Sequence, residues 1–211
     1  MIVLFAVVPR GVGEVSGLKV FAGEDVDVLY DVQDQPPGRS VKDVLDFGRK
    51  LQDVGQTRPV LPVRYGSVLP DIAELGELVR TREASWARQL DRVAGHRELI
   101  VHLRLLEAEP PPHTGKDKES GTAYLRRRAA HLRAREAVVT GLLRTVAPHL
   151  KDHRSLAATD EERVALLVPE TDVDIVRRAI DHWGDSSARL AVKVSGPWPP
   201  FSFCEDPVRD G

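Results

Sequence analysis

The chain has 211 residues, 42% of them hydrophobic and 29% charged, with a formal net charge of −2. That is ordinary for a soluble globular protein, long enough for one large domain or two small ones without staples, and too neutral overall to argue for nucleic acid or an anionic membrane as a partner. Cys204 is the single cysteine, which leaves no internal disulfide or thiolate cluster and suits a reducing cytoplasm.

Residues 2–8 form a short apolar run with no basic segment before it and Pro9-Arg10 directly after, so it reads as a buried strand rather than a signal peptide. Residues 18–21 and 26–31 are short strands on either side of a turn at Ala22-Gly23-Glu24-Asp25. Ser40 is placed to cap a helix over 41–54 with Val41, Val44, Leu45, Leu51 and Val54 on its apolar side and Gly55 at its end. Residues 59–63 are extended. A second helix spans 71–94, with Leu75, Leu78, Trp86, Leu90 and Val93 as its buried stripe. After Gly95 the period changes to two, and Leu99, Val101, Leu103 and Leu105 share one face of a strand.

Residues 109–120 carry three prolines, three acids and two lysines and read as a loop with nothing to bury. A long helix follows from Thr122 to about Leu150. Its inner side is Leu125, Ala129, Leu132, Val139, Leu143 and Val146, and Gly141 and Pro148 are its candidate breaks. Residues 154–158 and 163–168 read as strands. A helix capped by Thr171, with Asp174 completing a capping box, buries Val173, Val176, Ile180 and Trp183 and stops at Gly184. Leu190, Val192 and Val194 make the last strand. From Glu98 the order is β, α, β, β, α, β, the pattern of a ferredoxin-like domain. The expected fold class is therefore α+β. It comprises a small domain over 1–94, a ferredoxin-like domain with a long helix over 95–196, and an extended proline and aromatic tail over 197–211 that packs back on the body.

Few residues of the chain are spaced for chemistry. Gly11, Gly13 and Gly17 are spaced GxGxxxG and lead into a strand, so no helix start receives a phosphate and the glycines read as a turn. His149 and His153 are four apart beside Pro148, with no third ligand nearby, which does not make a metal site. No Ser-His-Asp or Cys-His set is recognisable. We therefore expect no catalytic residues, no cofactor and no metal. Charge is uneven: eight bases oppose two acids between Ala123 and Arg154. Arg126, Arg127, Arg128, Arg133 and Arg135 suit either an acid within the domain or an acidic partner. RNA binding on the sheet would need stacking aromatics where Leu, Val and His stand.

Two segments carry a resemblance. Leu61-Pro62-Val63-Arg64-Tyr65-Gly66-Ser67-Val68 is similar to the LPVRFGTV motif of the GvpF/GvpL gas vesicle family. Gly196-Pro197-Trp198-Pro199-Pro200-Phe201-Ser202-Phe203 is similar to that family's terminal GPWPPYSF. Between them, Thr122-Ala123-Tyr124-Leu125, followed by Arg126 and Arg127, resembles its GxAYL helix start. The resemblance covers nearly the whole chain. It departs at Glu98-Leu99-Ile100-Val101-His102, where many relatives have a Glu-Trp-Gly-Val-Lys type strand.

What the resemblance implies is a non-enzymatic accessory protein of the cytoplasm and the gas vesicle. Its expected partners are the major shell protein and other gas vesicle accessory proteins, with no nucleic acid and no membrane. The alternative is a small-ligand sensor or enzyme built on the ferredoxin-like sheet. Pro197, Pro199 and Pro200 stiffen the tail into a strap whose aromatics either anchor it or dock the shell protein.

Overall fold

The computed structural model describes residues 1–13, 15–106, 121–158 and 161–205. The expected loop over 109–120 lies outside the described residues. The chain divides into two compact units, one of residues 1–98 together with 197–211, the other of 99–196.

In the first unit the apolar run becomes β1 (Ile2–Pro9), buried along nearly its whole length and paired on both sides within the sheet. β2 (Lys19–Ala22) and β3 (Val26–Val32) form an antiparallel hairpin, and β3 runs antiparallel to β1 with a register shift between Leu4 and Ala6. The glutamate Glu83 fixes the hairpin tip by accepting the amides of Asp25 (2.7 Å) and Val26 (3.2 Å). On the other side of β1 lie two short strands, β4 (Leu61–Pro62) and β5 (Val68–Leu69). The strand order is β2-β3-β1-β4, with β5 also on β1.

α1 (Val41–Gly55) starts in a reciprocal cap, in which the Asp43 amide donates to the Ser40 hydroxyl and the Ser40 amide to the Asp43 carboxylate. Its buried side differs from expectation. Phe47, Leu51 and Val54 enter the core with Val3, Phe5, Val8, Leu18 and Leu29, whereas Val41, Val44 and Leu45 face solvent. Phe47, absent from the expected stripe, stacks on Phe5 with ring centres 4.7 Å apart and leads the buried part of the helix. α2 (Ile72–Val93), capped by Asp71, packs on β1, β3, β4 and β5. It buries Leu75, Val79, Trp86, Leu90 and Val93; Val79, not Leu78, completes the stripe.

The second unit is a four-stranded sheet in the order β7-β8-β6-β9. β6 (His96–Leu105) alternates as its period suggested, with Leu99, Val101 and Leu103 buried. α3 (Gly121–Val146) runs unbroken through Gly141, where the small residue leaves room for the Trp183 ring. Leu142 and Val146 are fully buried, while Leu125 and Leu132 of the expected inner side are exposed. The helix stops before Pro148 in a 3-10 turn, Ala147–His149, because proline has no amide to continue the ladder. β7 (Asp152–Leu156) and β8 (Glu162–Pro169) are antiparallel neighbours.

α4 (Val173–Asp185) corrects two expectations. Thr171 does not cap it; a 3-10 turn over Glu170–Asp172 leads in, and the Thr171 hydroxyl donates to Asp172. Gly184 does not end it either. It is a buried helical position, and a Cβ there would sit 2.9 Å from Cγ2 of Val192 on β9 (Leu190–Trp198). Gly184→Ala therefore sets a helix-propensity gain of about 1 kcal/mol against an overpacking cost of about 1–3 kcal/mol. We expect a net loss of about 1 kcal/mol in urea unfolding, reduced when Val192→Ala is added to make room.

Candidate functional site

The residues singled out by the motifs fall in both units. Within the first, Leu61 and Pro62 are buried in the edge strand, opposite Val7 and Ala6 of β1. The Val63 amide then donates to Phe5 O (2.9 Å), and the Leu4 amide to Ser67 O (3.0 Å). The ladder thus closes on both sides of Arg64-Tyr65-Gly66, which loop out between β4 and β5. Gly66 supplies φ +85°, a conformation that costs a side-chain-bearing residue energy, and the Ser67 amide closes the turn on Arg64 O (3.1 Å). The motif is therefore one edge strand with a three-residue excursion, and the exposed side chain of Arg64 sits at its crest.

Tyr65 points back from that excursion. Its ring meets Phe47 edge-on at 5.0 Å, and its hydroxyl donates to Gly38 O at 2.6 Å. With Phe5, Phe47, Asp43 and Lys50 it lines a groove of about 180 Å³, where the Lys50 ammonium stands 5.3 Å from the Phe5 ring centre. Hydrogen bonds from Ser40 hold the Asp43 carboxyl below its ordinary value, and desolvation, with Asp43 nearby, pushes the Tyr65 phenol up. The groove is smaller than typical small-molecule sites, which begin near 300 Å³.

The terminal motif changes from strand to turn. β9 runs extended through Trp198; beyond it Pro199 and Pro200 are buried, and Phe201–Phe203 close a 3-10 turn with Phe203 buried. The amides of Phe201 and Phe203 donate to Pro199 O (2.7 Å) and Pro200 O (3.0 Å), and the Cys204 thiol donates to Pro200 O (3.0 Å). The tail is thus extended only in its first part. Trp198 and Phe201 remain 37% and 43% exposed. Gly196 takes φ +107°, and its carbonyl accepts from Arg177 within the second unit.

The anchor of the turn is Glu98, only 1% exposed. Its two carboxylate oxygens accept the Ser202 amide and the Ser202 hydroxyl, each at 2.7 Å. Nearby, Pro199 and Val60, the residue before the first motif, both lie against Gly55, where an added Cβ would come within 3.3 and 3.2 Å of them. Arg97 ties the same corner by donating to Gly55 O and Gln56 O. Within this unit the two motifs therefore meet at the end of α1. Sequence reading missed Glu98 and Arg97; the available signal was a charged pair directly before the apolar run Leu99-Ile100-Val101.

Arg126 lies exposed on α3. The side chains of Tyr124 and Arg127 lie outside the described residues. Arg135 pairs with Glu162 and donates to Glu161 O (3.3 Å). Two histidines of this unit meet carboxylates: His102 with Glu161 and His149 with Asp172, each at 2.8 Å. The His102 hydrogen bond lowers the Glu161 carboxyl, helped by the charges of Arg163 and Arg104. Hydrogen bonds from His149 and Thr171 lower Asp172 below its ordinary 3.8. In the glycine-rich turn, the amides of Gly11 and Val12 donate to the buried Asp27 carboxylate at 2.8 and 2.9 Å, so these amides are committed to the protein's own anion. Among the described residues, no three His, Cys, Asp or Glu side chains are grouped to hold a metal, and no helix is long and apolar enough to cross a membrane.

Residues 4–205 match the family described as gas vesicle synthesis protein GvpL/GvpF. The chain is 27% identical over 186 residues to gas vesicle protein F of Streptomyces sp. (strain CB03234), covering 78% of each sequence. The crystal structure of GvpF from Anabaena sp. PCC7120 superposes with a TM-score of 0.81 at 15% identity, over 97% of this chain and 95% of that one. GvpF from Microcystis aeruginosa gives 0.79 at 13% identity, over 96% and 98%. The fold is shared.

Two measurements check this geometry. Ser202→Ala removes a hydroxyl donor to a buried carboxylate and should cost about 1–3 kcal/mol in chemical denaturation; an unchanged midpoint contradicts the anchor. Asp172 has a depressed folded value, so its contribution is present above its unfolded value and is lost as pH falls through the folded one. Stability should therefore decline below about pH 4, and Asp172→Asn should make that decline shallower.

Proposed function

Because this chain belongs to the gas vesicle synthesis protein GvpL/GvpF family, its role is tied to gas vesicles, and we propose that it binds the small hydrophobic shell protein and supports vesicle assembly, performing no chemistry of its own. The family match across residues 4–205 carries this reading. Its physical logic is that a shell subunit with a large apolar face aggregates unless covered before it is incorporated. A chain with exposed aliphatic and aromatic side chains on a firm scaffold suits such a task. Val41, Val44 and Leu45 on α1, and Trp198 and Phe201 on the terminal segment, are exposed in this way.

On this reading the motif residues divide their work. Leu61, Pro62 and Gly66 shape the edge strand, and Pro199, Pro200 and Phe203 strap the chain end, while Trp198 and Phe201 contact the partner. The order of elements over 99–196, with strand order β7-β8-β6-β9, supports reading that unit as ferredoxin-like. The protein works in the cytoplasm and at the vesicle, alongside other vesicle accessory proteins.

Deleting the gene in a vesicle-forming host should abolish or reduce flotation, and a pull-down with the tagged chain should recover the shell protein. Normal flotation together with an empty pull-down rejects the proposal. Trp198→Ala with Phe201→Ala should weaken shell capture by more than a comparably destabilising change at Gly184→Ala does, with urea unfolding of both variants as the reference.

A further inference from the structure

The first half of α3 carries an unspent apolar seam. Leu125, Ala129 and Leu132 recur at intervals of four and three, the spacing that lines one side of a helix in a two-helix seam. The same stripe continues as Val139, Leu143 and Val146, which pack into the core of the second unit. Along the first half it runs on into solvent, with Leu125 64% and Leu132 51% exposed. Arginines border it on both sides. Arg126 and Arg133 follow the two leucines on one flank, Arg128 lies on the other, and all three are exposed. Glu136 is the only acid on the helix.

We propose that this half-helix is a docking ridge for an amphipathic helix of a gas vesicle partner, one whose apolar seam is bordered by aspartates or glutamates. The seam sets the occupant's apolar side and the arginine borders set its charge, as flanking positions do in helix pairs. A second copy of this chain is disfavoured, because pairing the ridge with itself sets arginine against arginine. Residues 107–120 carry acids but no Leu, Ile, Val, Met or aromatic residue to cover the leucines. An anionic bilayer favours a broad apolar face, and this seam is the narrow stripe of a two-helix contact.

The inference rests on the reading that the chain holds another polypeptide, and its test is separate from shell capture. The full chain is titrated with a labelled synthetic helix of about three heptads carrying Leu along its seam and Glu on its borders. A second peptide has Lys in place of Glu. The Glu peptide should bind and the Lys peptide should not. Leu125→Ser with Leu132→Ser, both at exposed sites, should weaken binding at least about tenfold with unchanged circular dichroism. Arg126→Glu with Arg133→Glu should reverse the preference toward the Lys peptide.

Equal binding of both peptides, indifference to the leucine changes, or tighter binding to anionic phospholipid vesicles than to the Glu peptide overturns the proposal. Failure of the unaltered chain to capture shell protein would instead count against the assembly reading, whatever the peptides do.

Discussion

A buried carboxylate destabilises its surroundings unless donors meet it, because stripping an acid of water costs several kcal/mol that hydrogen bonds and paired charges offset. Glu98 is that carboxylate here, and the donors it receives from Ser202 come from 104 positions further along the chain. The first unit is therefore discontinuous: 99–196 is inserted between a body that ends at Glu98 and a closing segment that begins at Pro197. Everything local to the terminal motif follows from that constraint. The prolines hold the approach extended, the 3-10 turn aims the Ser202 amide and hydroxyl, and Phe203 fills the space beneath.

The same corner explains the first motif. Gly55 ends α1 with no side chain, which lets Val60 and Pro199 close on it from two directions while Arg97 holds its carbonyl. From Val60 the chain enters the edge of the sheet, loops out at Arg64-Tyr65-Gly66, and returns to β1. Tyr65 carries the excursion back to Phe47 and Gly38, so the edge strand, α1 and the loop before it are joined through one aromatic side chain. Two motifs far apart in sequence thus serve one local architecture, which is why both read as scaffold before they read as contact surface.

The sequence made local features legible. The buried run of β1, the Ser40 cap and the alternation through Leu99, Val101 and Leu103 depend on neighbours within a few residues. Where a choice among apolar residues was needed, local pattern failed. Val44 lies seven residues before Leu51, on the same side of the helix, yet Val44 is exposed and Leu51 is buried, so spacing alone did not say how far along the helix the core extends. Gly184 has the composition of a stop, yet its position against Val192 is a packing fact. Glu98 looked like an ordinary strand charge because its partner is distant. The terminal motif was legible as a resemblance, but the atom it serves was not.

The account stands or falls on whether residues 197–205 are an integral part of the first unit. Amide hydrogen exchange on the full chain reads this directly at Ser202 and Phe203. The account predicts that both amides are protected to the level of the buried β1 amides and open only when the whole unit opens. Exchange at the rate of an unstructured peptide, with β1 still protected, would show that the segment is not held by Glu98 and would contradict it.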